Sequence, residues 1–275
     1  MKLQAKLYRA TVYAGAAFSV SVLVLIVGYI LWKGMPHLTP ELFAWEYNST
    51  NVSMMPSIIN TLLMTLLSLL VCVPLGIGAA IWLTEYAPRG SRLVKLVRMT
   101  AETLSGIPSI IYGLFGALFF VVALKMGLSL LSGALTLSIM VLPTIMRTTE
   151  EALLAVPDSY REGSFGLGAG RLRTTFKVVL PSAVPGILSG VILAIGRIVG
   201  ETAALIYTAG TVAKVPGSLL DSTRTLAVHM YTISTEGLYI DQSYATAVVL
   251  LVMVLLINSL SALIARKVGR SPAGR

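Results

Sequence analysis

Charge is what this sequence has least of. Only 12% of its 275 residues are Asp, Glu, Lys or Arg, about half the share carried by a soluble globular chain, so an ordinary water-facing surface is excluded. Cysteine is nearly absent. Cys72 alone permits no internal disulfide, and with His37 and His229 as the only histidines a zinc site lacks its ligands. No G-x-x-x-x-G-K-[ST] loop occurs, which removes ATP hydrolysis by this chain. H-E-x-x-H, G-x-S-x-G and carboxylate clusters at membrane depth are missing too, which argues against an integral membrane enzyme. Inverted repeats with matching broken helices, the signature of a secondary transporter, are also lacking.

What is abundant is uninterrupted apolar sequence. Hydrophobic residues make up 56% of the chain and the mean hydropathy is +0.83. They fall in six uncharged runs, 10–32, 58–84, 103–124, 126–146, 178–196 and 242–265. About 20 residues at 1.5 Å each cross a 30 Å hydrocarbon core. Spans must satisfy their backbone internally, and the runs lack the ten-residue alternation of barrel strands. The expectation is an all-α integral membrane protein with six transmembrane helices, a single membrane domain over 1–275 with its core at 58–265. The first run follows Lys2, Lys6 and Arg9 but is too long for a secretory signal. It also enters Trp32-Lys33-Gly34-Met35-Pro36 without a small-x-small cleavage pattern, so it reads as a retained helix.

The net charge of +9 is a topology signal. The N-terminus, the second and fourth loops and the tail hold sixteen of the lysines and arginines, and the intervening loops hold four. The positive-inside rule then puts both termini in the cytoplasm, and a nucleic-acid reading loses its support. Glu85 and Glu102, at inner helix ends, are expected to pair with Arg89 and Arg98. The first outer loop, with Trp45 and Tyr47, suits an interfacial segment.

The fourth loop, 147–181, is rich in Gly, Arg and Glu. Pro157 favours a fresh helix start, Ser159 and Glu162 have capping-box spacing, and Gly168 and Gly170 supply a break. A second short helix over 171–180 is expected to stop at Pro181. Such a helix–turn–helix is a docking surface for a soluble partner. Here the chain resembles the permeases of ABC importers: Glu162-Gly163-Ser164, Gly168 and Val178-x-Leu180-Pro181 match the spacing of their "EAA" loop, E-A-A, three residues, G, nine residues, I-x-L-P. Gly163 and Ser164 replace the two alanines, and Val178 the isoleucine. Glycine at 163 weakens a helix by about 1 kcal/mol relative to alanine. The resemblance implies that Arg161, Glu162, Gly163, Ser164, Gly168, Leu180 and Pro181 belong to a coupling helix seated on an ATPase. From the residues alone, Glu162 is equally a cap and Gly168 equally a helix stop.

Three further segments are similar to the A-type permeases of phosphate-specific ABC importers: Gly106-Ile107-Pro108-Ser109-Ile110-Ile111-Tyr112-Gly113-Leu114, Pro143-Thr144-Ile145-Met146-Arg147, and Arg197-Ile198-Val199-Gly200-Glu201-Thr202-Ala203. That resemblance implies a type I importer permease fold in a bacterial or archaeal inner membrane. It also implies a homologous C-type permease partner, an ABC ATPase dimer using ATP and Mg, an extracytoplasmic phosphate-binding protein, and no cofactor on this chain. Related sulfate or molybdate importers are the substrate alternative.

The fifth span has a physical reading of its own. A charge in a membrane helix costs about 2.5–3.5 kcal/mol even on a lenient scale, which marks it as functional. Arg197 and Glu201 are four apart, on one face of a continuous helix, with Gly196 and Gly200 leaving room beside them. They are either a self-neutralising ion pair or, since arginine offers a bidentate fork, a station for an oxyanion. Thr202, Ser105, Ser109 and Arg147 complete the expected substrate path. For the serines close helix packing is an equal alternative, and for Arg147 so is a topology anchor.

Overall fold

The computed structural model describes residues 2–88 and 90–269. Arg89, Arg270 and Arg275, and the side chains of Lys2, Lys6 and Arg266, all counted in the charge argument, lie outside the described set. Among the described residues the regular structure is entirely helical. Five helical segments are long and apolar enough to cross a membrane: Tyr8–His37, Met55–Tyr86, Leu130–Leu154, Arg171–Val199 and Ile240–Ala265. They correspond to five of the six uncharged runs.

We label the helices in chain order: α1 (Lys2–Gly34), α2 (Met55–Ile81), α3 (Arg92–Ser105), α4 (Ser109–Gly116), α5 (Leu130–Leu154), α6 (Asp158–Gly166), α7 (Arg171–Thr174), α8 (Leu180–Val199), α9 (Ala203–Thr208), α10 (Leu226–Thr235) and α11 (Ile240–Gly269). The centre is α5, packed against α2 and α8; α11 lies on α8, and α1 lies on α11. Ser129 starts α5 by accepting from the Ser132 backbone N–H, a side-chain N-cap. Leucines at 62, 66 and 70 of α2 project outward while Met64, Ser68 and Cys72 are buried. That division places an apolar exterior around a more polar interior, the arrangement lipid demands.

The run at 103–124 does not form one straight span. Helices α3 and α4 meet at 102°. The break falls at Gly106-Ile107-Pro108, where Pro108 lacks the N–H a continuing helix would need. α3 is amphipathic, with Val94 and Ala101 turned into the core beside Leu83 and Leu153. Beyond Gly116 the span continues as a widened turn, Ala117–Ala123.

The expected stop at Pro181 is also absent. α7 passes through a widened turn at Thr175–Val179 directly into α8, with Pro181 in its first turn. Widening the turn relieves the clash between a proline ring and the carbonyl four residues earlier, so 171–199 is one helical segment.

Small residues set the closest approach. A Cβ at Gly113 of α4 would lie 2.7 Å from Ala204 Cα on α9, and backbone cannot yield as a side-chain tip can. Gly113→Ala should therefore destabilise the protein by about 1–3 kcal/mol, read as a lower melting temperature of the detergent-purified protein. Gly163→Ala, where nothing lies within 4 Å of the new Cβ, should leave it unchanged or raise it.

Candidate functional site

Two helix breaks lie side by side. The first is 106–108, between α3 and α4. The second is at Gly200-Glu201-Thr202, where α8 ends and α9 begins three residues later. Gly113 packs on Ala204 and Gly116 on Thr208, so α4 and α9 run together and their breaks share one depth. Each break repairs its own backbone. The Tyr112 hydroxyl donates to the Leu104 carbonyl at 2.7 Å, closing the end of α3. Across the way, Glu201 Oε1 accepts from the Ala204 N–H at 3.1 Å, capping α9.

That second repair changes the reading of Arg197 and Glu201. They do not share a face of one helix, because the helix ends between them. Among the described residues no carboxylate stands within ion-pair distance of Arg197. Glu201, 9% exposed, spends its carboxylate on the backbone instead. Arg197 is half-buried one turn before the break, and its charge acts on the buried Tyr112 side chain. Gly196 beside it faces the Asn258 amide of α11, with a Cβ there reaching only 3.8 Å from it. The result is an un-neutralised guanidinium next to two interrupted spans, an arrangement suited to drawing an anion.

The remaining path residues distribute unevenly. Thr202 is half-buried in the second break. Ser105 closes α3 and donates to the Glu102 carbonyl at 2.8 Å, whereas Ser109 opens α4, so the two sit on helices of different direction. Arg147 on α5 lies 3.2 Å from Glu151 and 3.7 Å from Glu102. Its charge is met by two carboxylates, which leaves it poorly suited to receive an anion. The expected Glu102–Arg98 pair is replaced by this contact. Arg98 instead reaches the buried Glu150, 2.6 Å from its Nε, binding α3 to α5. Neither Glu150 nor Tyr112 stood out as a site residue in the sequence, although Tyr112 lies within the motif at the first break.

At the opposite end of α2 sits the loop. α6 spans Asp158–Gly166 with no residue buried. The Ser159–Glu162 capping box does not form: the helix starts after Pro157 without any side-chain cap, and Glu162 is exposed. Gly168 terminates the hairpin at φ +81°, the left-handed region that glycine enters freely. Ser164 bonds Thr174 across the hairpin at 2.8 Å. Leu180 is half-buried behind it and Pro181 exposed.

Arg161 is the tether. It reaches Glu85 at 2.8 Å, the Leu153 and Val156 carbonyls at 2.9 and 2.8 Å, and Asp158 at 3.2 Å. Glu85 therefore pairs with Arg161, not with Arg89, which lies outside the described residues. The pair raises the Arg161 pKa further above its ordinary value, chiefly through the hydrogen bond to Glu85. Beside it opens a cleft of about 690 Å³ bordered by Tyr86, Arg98, Phe165 and Arg171. The hairpin tip presents Leu167, 91% exposed.

The comparisons agree with this architecture. Residues 72–271 match the family of binding-protein-dependent transport system inner membrane components. The chain is 33% identical over 261 residues to a probable ABC transporter permease protein, YqgI, of Bacillus subtilis, covering 88% of each. It is 38% identical to a phosphate transport system permease protein PstA 2 of Mycobacterium bovis, covering 76% of this chain and 70% of that one. Against a phosphate transport system permease protein PstC of Mesorhizobium japonicum it is 31% identical, covering 93% and 88%. Among solved structures, a chain of the MetNI methionine ABC transporter in an inward-facing conformation aligns with TM-score 0.63 at 23% identity, over 78% of this chain and 95% of that one. A chain of a bacterial alginate ABC transporter aligns with TM-score 0.67 at 17% identity, over 99% and 100%. The fold is that of a type I ABC-importer permease.

The tether makes a measurable demand. Arg161→Ala leaves Glu85 buried and unpaired, and losing one partner of a buried pair costs about 3–5 kcal/mol. The variant should unfold earlier and show faster proteolysis within 157–170. The double variant Arg161→Ala/Glu85→Ala should recover much of the loss, because no orphaned charge remains. Equal instability of single and double variants would contradict the tether.

Proposed function

We propose that this chain, which belongs to the family of inner-membrane components of binding-protein-dependent transport systems, is the A-type permease of an ATP-driven phosphate importer. As an importer permease it is a multi-pass protein of the inner membrane, and it works with an ATPase and a substrate-binding protein. The finer reading is that it pairs with a homologous C-type permease, that an ABC ATPase dimer using ATP and Mg docks on the α6 hairpin, and that an extracytoplasmic binding protein delivers inorganic phosphate. Both termini then face the cytoplasm. The chain holds no cofactor and hydrolyses no ATP.

The observation that carries this reading is Arg197. A guanidinium inside a span, with no carboxylate of the described residues in ion-pair range and two helix breaks beside it, favours an anionic group on the substrate over a cation or a neutral sugar. Similarity to relatives named as phosphate permeases supports phosphate as that anion. Glu201 adds discrimination. Near neutral pH phosphate keeps at least one proton, whereas sulfate keeps none. An ionised Glu201 accepts a hydrogen bond from the first and repels the second, a repulsive element of the kind specificity uses. The cap to Ala204 fixes its carboxylate on the side of the break.

Three variants test the reading in the reconstituted complex with binding proteins that deliver each anion. Arg197→Ala should abolish phosphate uptake, and Arg197→Lys should restore little because the fork geometry is lost. Glu201→Gln should retain folding but let sulfate stimulate ATP hydrolysis. Unchanged phosphate uptake in Arg197→Ala would reduce Arg197 to a packing residue. Unchanged sulfate exclusion in Glu201→Gln would place selectivity in the binding protein. Gly168→Asp tests coupling: membrane insertion should persist while ATPase docking and uptake are lost, and normal uptake would remove the docking role from this hairpin.

A further inference from the structure

A second buried cation lies at the far end of α2. Arg224 is 4% exposed, yet its Nε and Nη2 meet no hydrogen-bond acceptor. A buried charge left in that condition is costly. Its guanidinium lies 4.6 Å from the Tyr47 ring, which stacks edge-on with the fully buried His229 ring at 6.0 Å. Ser57 Oγ, Thr225 Oγ1 and Asn60 Oδ1 also lack a hydrogen-bond partner, while the His229 ring meets the Val52 backbone. Burial and the neighbouring Arg224 charge push the His229 pKa down to about 3, against an opposing hydrogen bond with the Val52 backbone, so the ring is neutral.

These groups hang on elements stitched to each other. Asn60 Nδ2 donates to the Lys214 and Arg224 carbonyls at 2.9 and 3.1 Å. The Leu226 N–H donates to Thr61 Oγ1 at 2.8 Å, and the Arg224 N–H to the Val212 carbonyl at 3.0 Å. The loop before α10 is thereby strapped across the first turns of α2, whose N-terminus has no side-chain cap and adds positive potential. Asn60 and Glu85 are 25 residues apart, about 38 Å along the helix, so this cluster sits at the end of the bundle opposite the α6 hairpin.

We propose that the unpaired groups of Arg224, Ser57 and Asn60, beside the neutral His229 ring, form a buried site for one proton-bearing oxyanion, with inorganic phosphate as its ligand. Water satisfies hydrogen bonds but leaves the guanidinium charge uncompensated. Chloride supplies the charge but no proton. Asn60 decides between oxyanions: both its amide hydrogens are committed to carbonyls, so its buried, unpaired Oδ1 is an acceptor that needs a donor. Sulfate has none at neutral pH, whereas phosphate brings a P–OH along with oxygens for Arg224 and Ser57. The site gives the importer a second phosphate station, distinct from Arg197 and near the face where a binding protein would discharge. The station rests on the phosphate reading for its role, not for its chemistry.

The test is equilibrium binding of radiolabelled phosphate to the assembled complex without binding protein, in an Arg197→Ala background that silences the other station. One saturable site should remain, with sulfate competing at least about tenfold more weakly. Arg224→Gln should weaken it by about 10–100-fold, the worth of a hydrogen bond to a charged group. Ser57→Ala, which removes only an unpaired hydroxyl and no structural bond, should weaken it by about fivefold. Electron cryo-microscopy of the same complex in phosphate should show a tetrahedral ion on Arg224 Nε and Nη2. Absence of a saturable site, unchanged binding in both variants, or water alone at Arg224 would overturn the proposal. If phosphate uptake by the wild-type complex persists in that event, the transport reading stands without this site. If the site binds phosphate while the complex imports another anion, the transport reading fails and the site remains.

Discussion

Lipid offers no water to loose backbone groups, so a span that breaks must satisfy its own ends. The structure turns on how two spans meet that constraint at one depth. At the first break a tyrosine hydroxyl closes the end of α3, and at the second a glutamate caps α9. Using Glu201 in this way has a consequence for charge: the carboxylate expected to neutralise Arg197 is occupied by backbone. An interrupted pair of helices with a free guanidinium beside them follows from the same repair. The small residues Gly113 and Gly116 let α4, which follows the first break, pack closely on α9, which follows the second.

A second dependency runs along α2 to the cytoplasmic hairpin. Glu85 at its end is held by Arg161, and Arg161 also gathers the last carbonyls of α5. α6 itself has no buried residue, so its position relative to the bundle rests on this side chain, on the Ser164–Thr174 bond and on the segment 171–199. Arg161 thus joins α6 to the end of α2, and the segment 171–199 joins the hairpin to α8. Both helices pack on α5, the central element between the hairpin and the breaks.

The sequence made the helices legible because hydrocarbon imposes a length and a lack of charge that any reader can count. Five spans, the hairpin and its Gly168 turn appear where composition and punctuation put them. The failures share a cause. Pro108 and Pro181 carry the same local signal, yet one ends a helix and the other sits within a continuous segment, because the widened turn at Thr175–Val179 is a tertiary accommodation. Arg197 and Glu201 are spaced for one helical face, and only the break between them, marked by nothing stronger than Gly200, separates their roles. Ion pairs were misassigned for a related reason. Glu85, Glu102 and Arg98 each had a near neighbour in sequence, but their partners come from α6 and α5, 76, 45 and 52 residues away. Arg224 looked like an ordinary loop charge, since the strap that buries it is visible only in three dimensions.

The central claim is that the two breaks jointly line an anion path. It is tested most directly by cysteine accessibility in the reconstituted complex, with Cys72→Ala removing the native thiol. Ser109→Cys and Thr202→Cys, one on each break, should react with a small membrane-impermeant thiol reagent when the path is open, and phosphate delivered by the binding protein should slow both reactions together. Leu66→Cys, on the lipid-facing side of α2, should not react. Labelling of only one break, or labelling of both that phosphate leaves unchanged, would contradict a shared path.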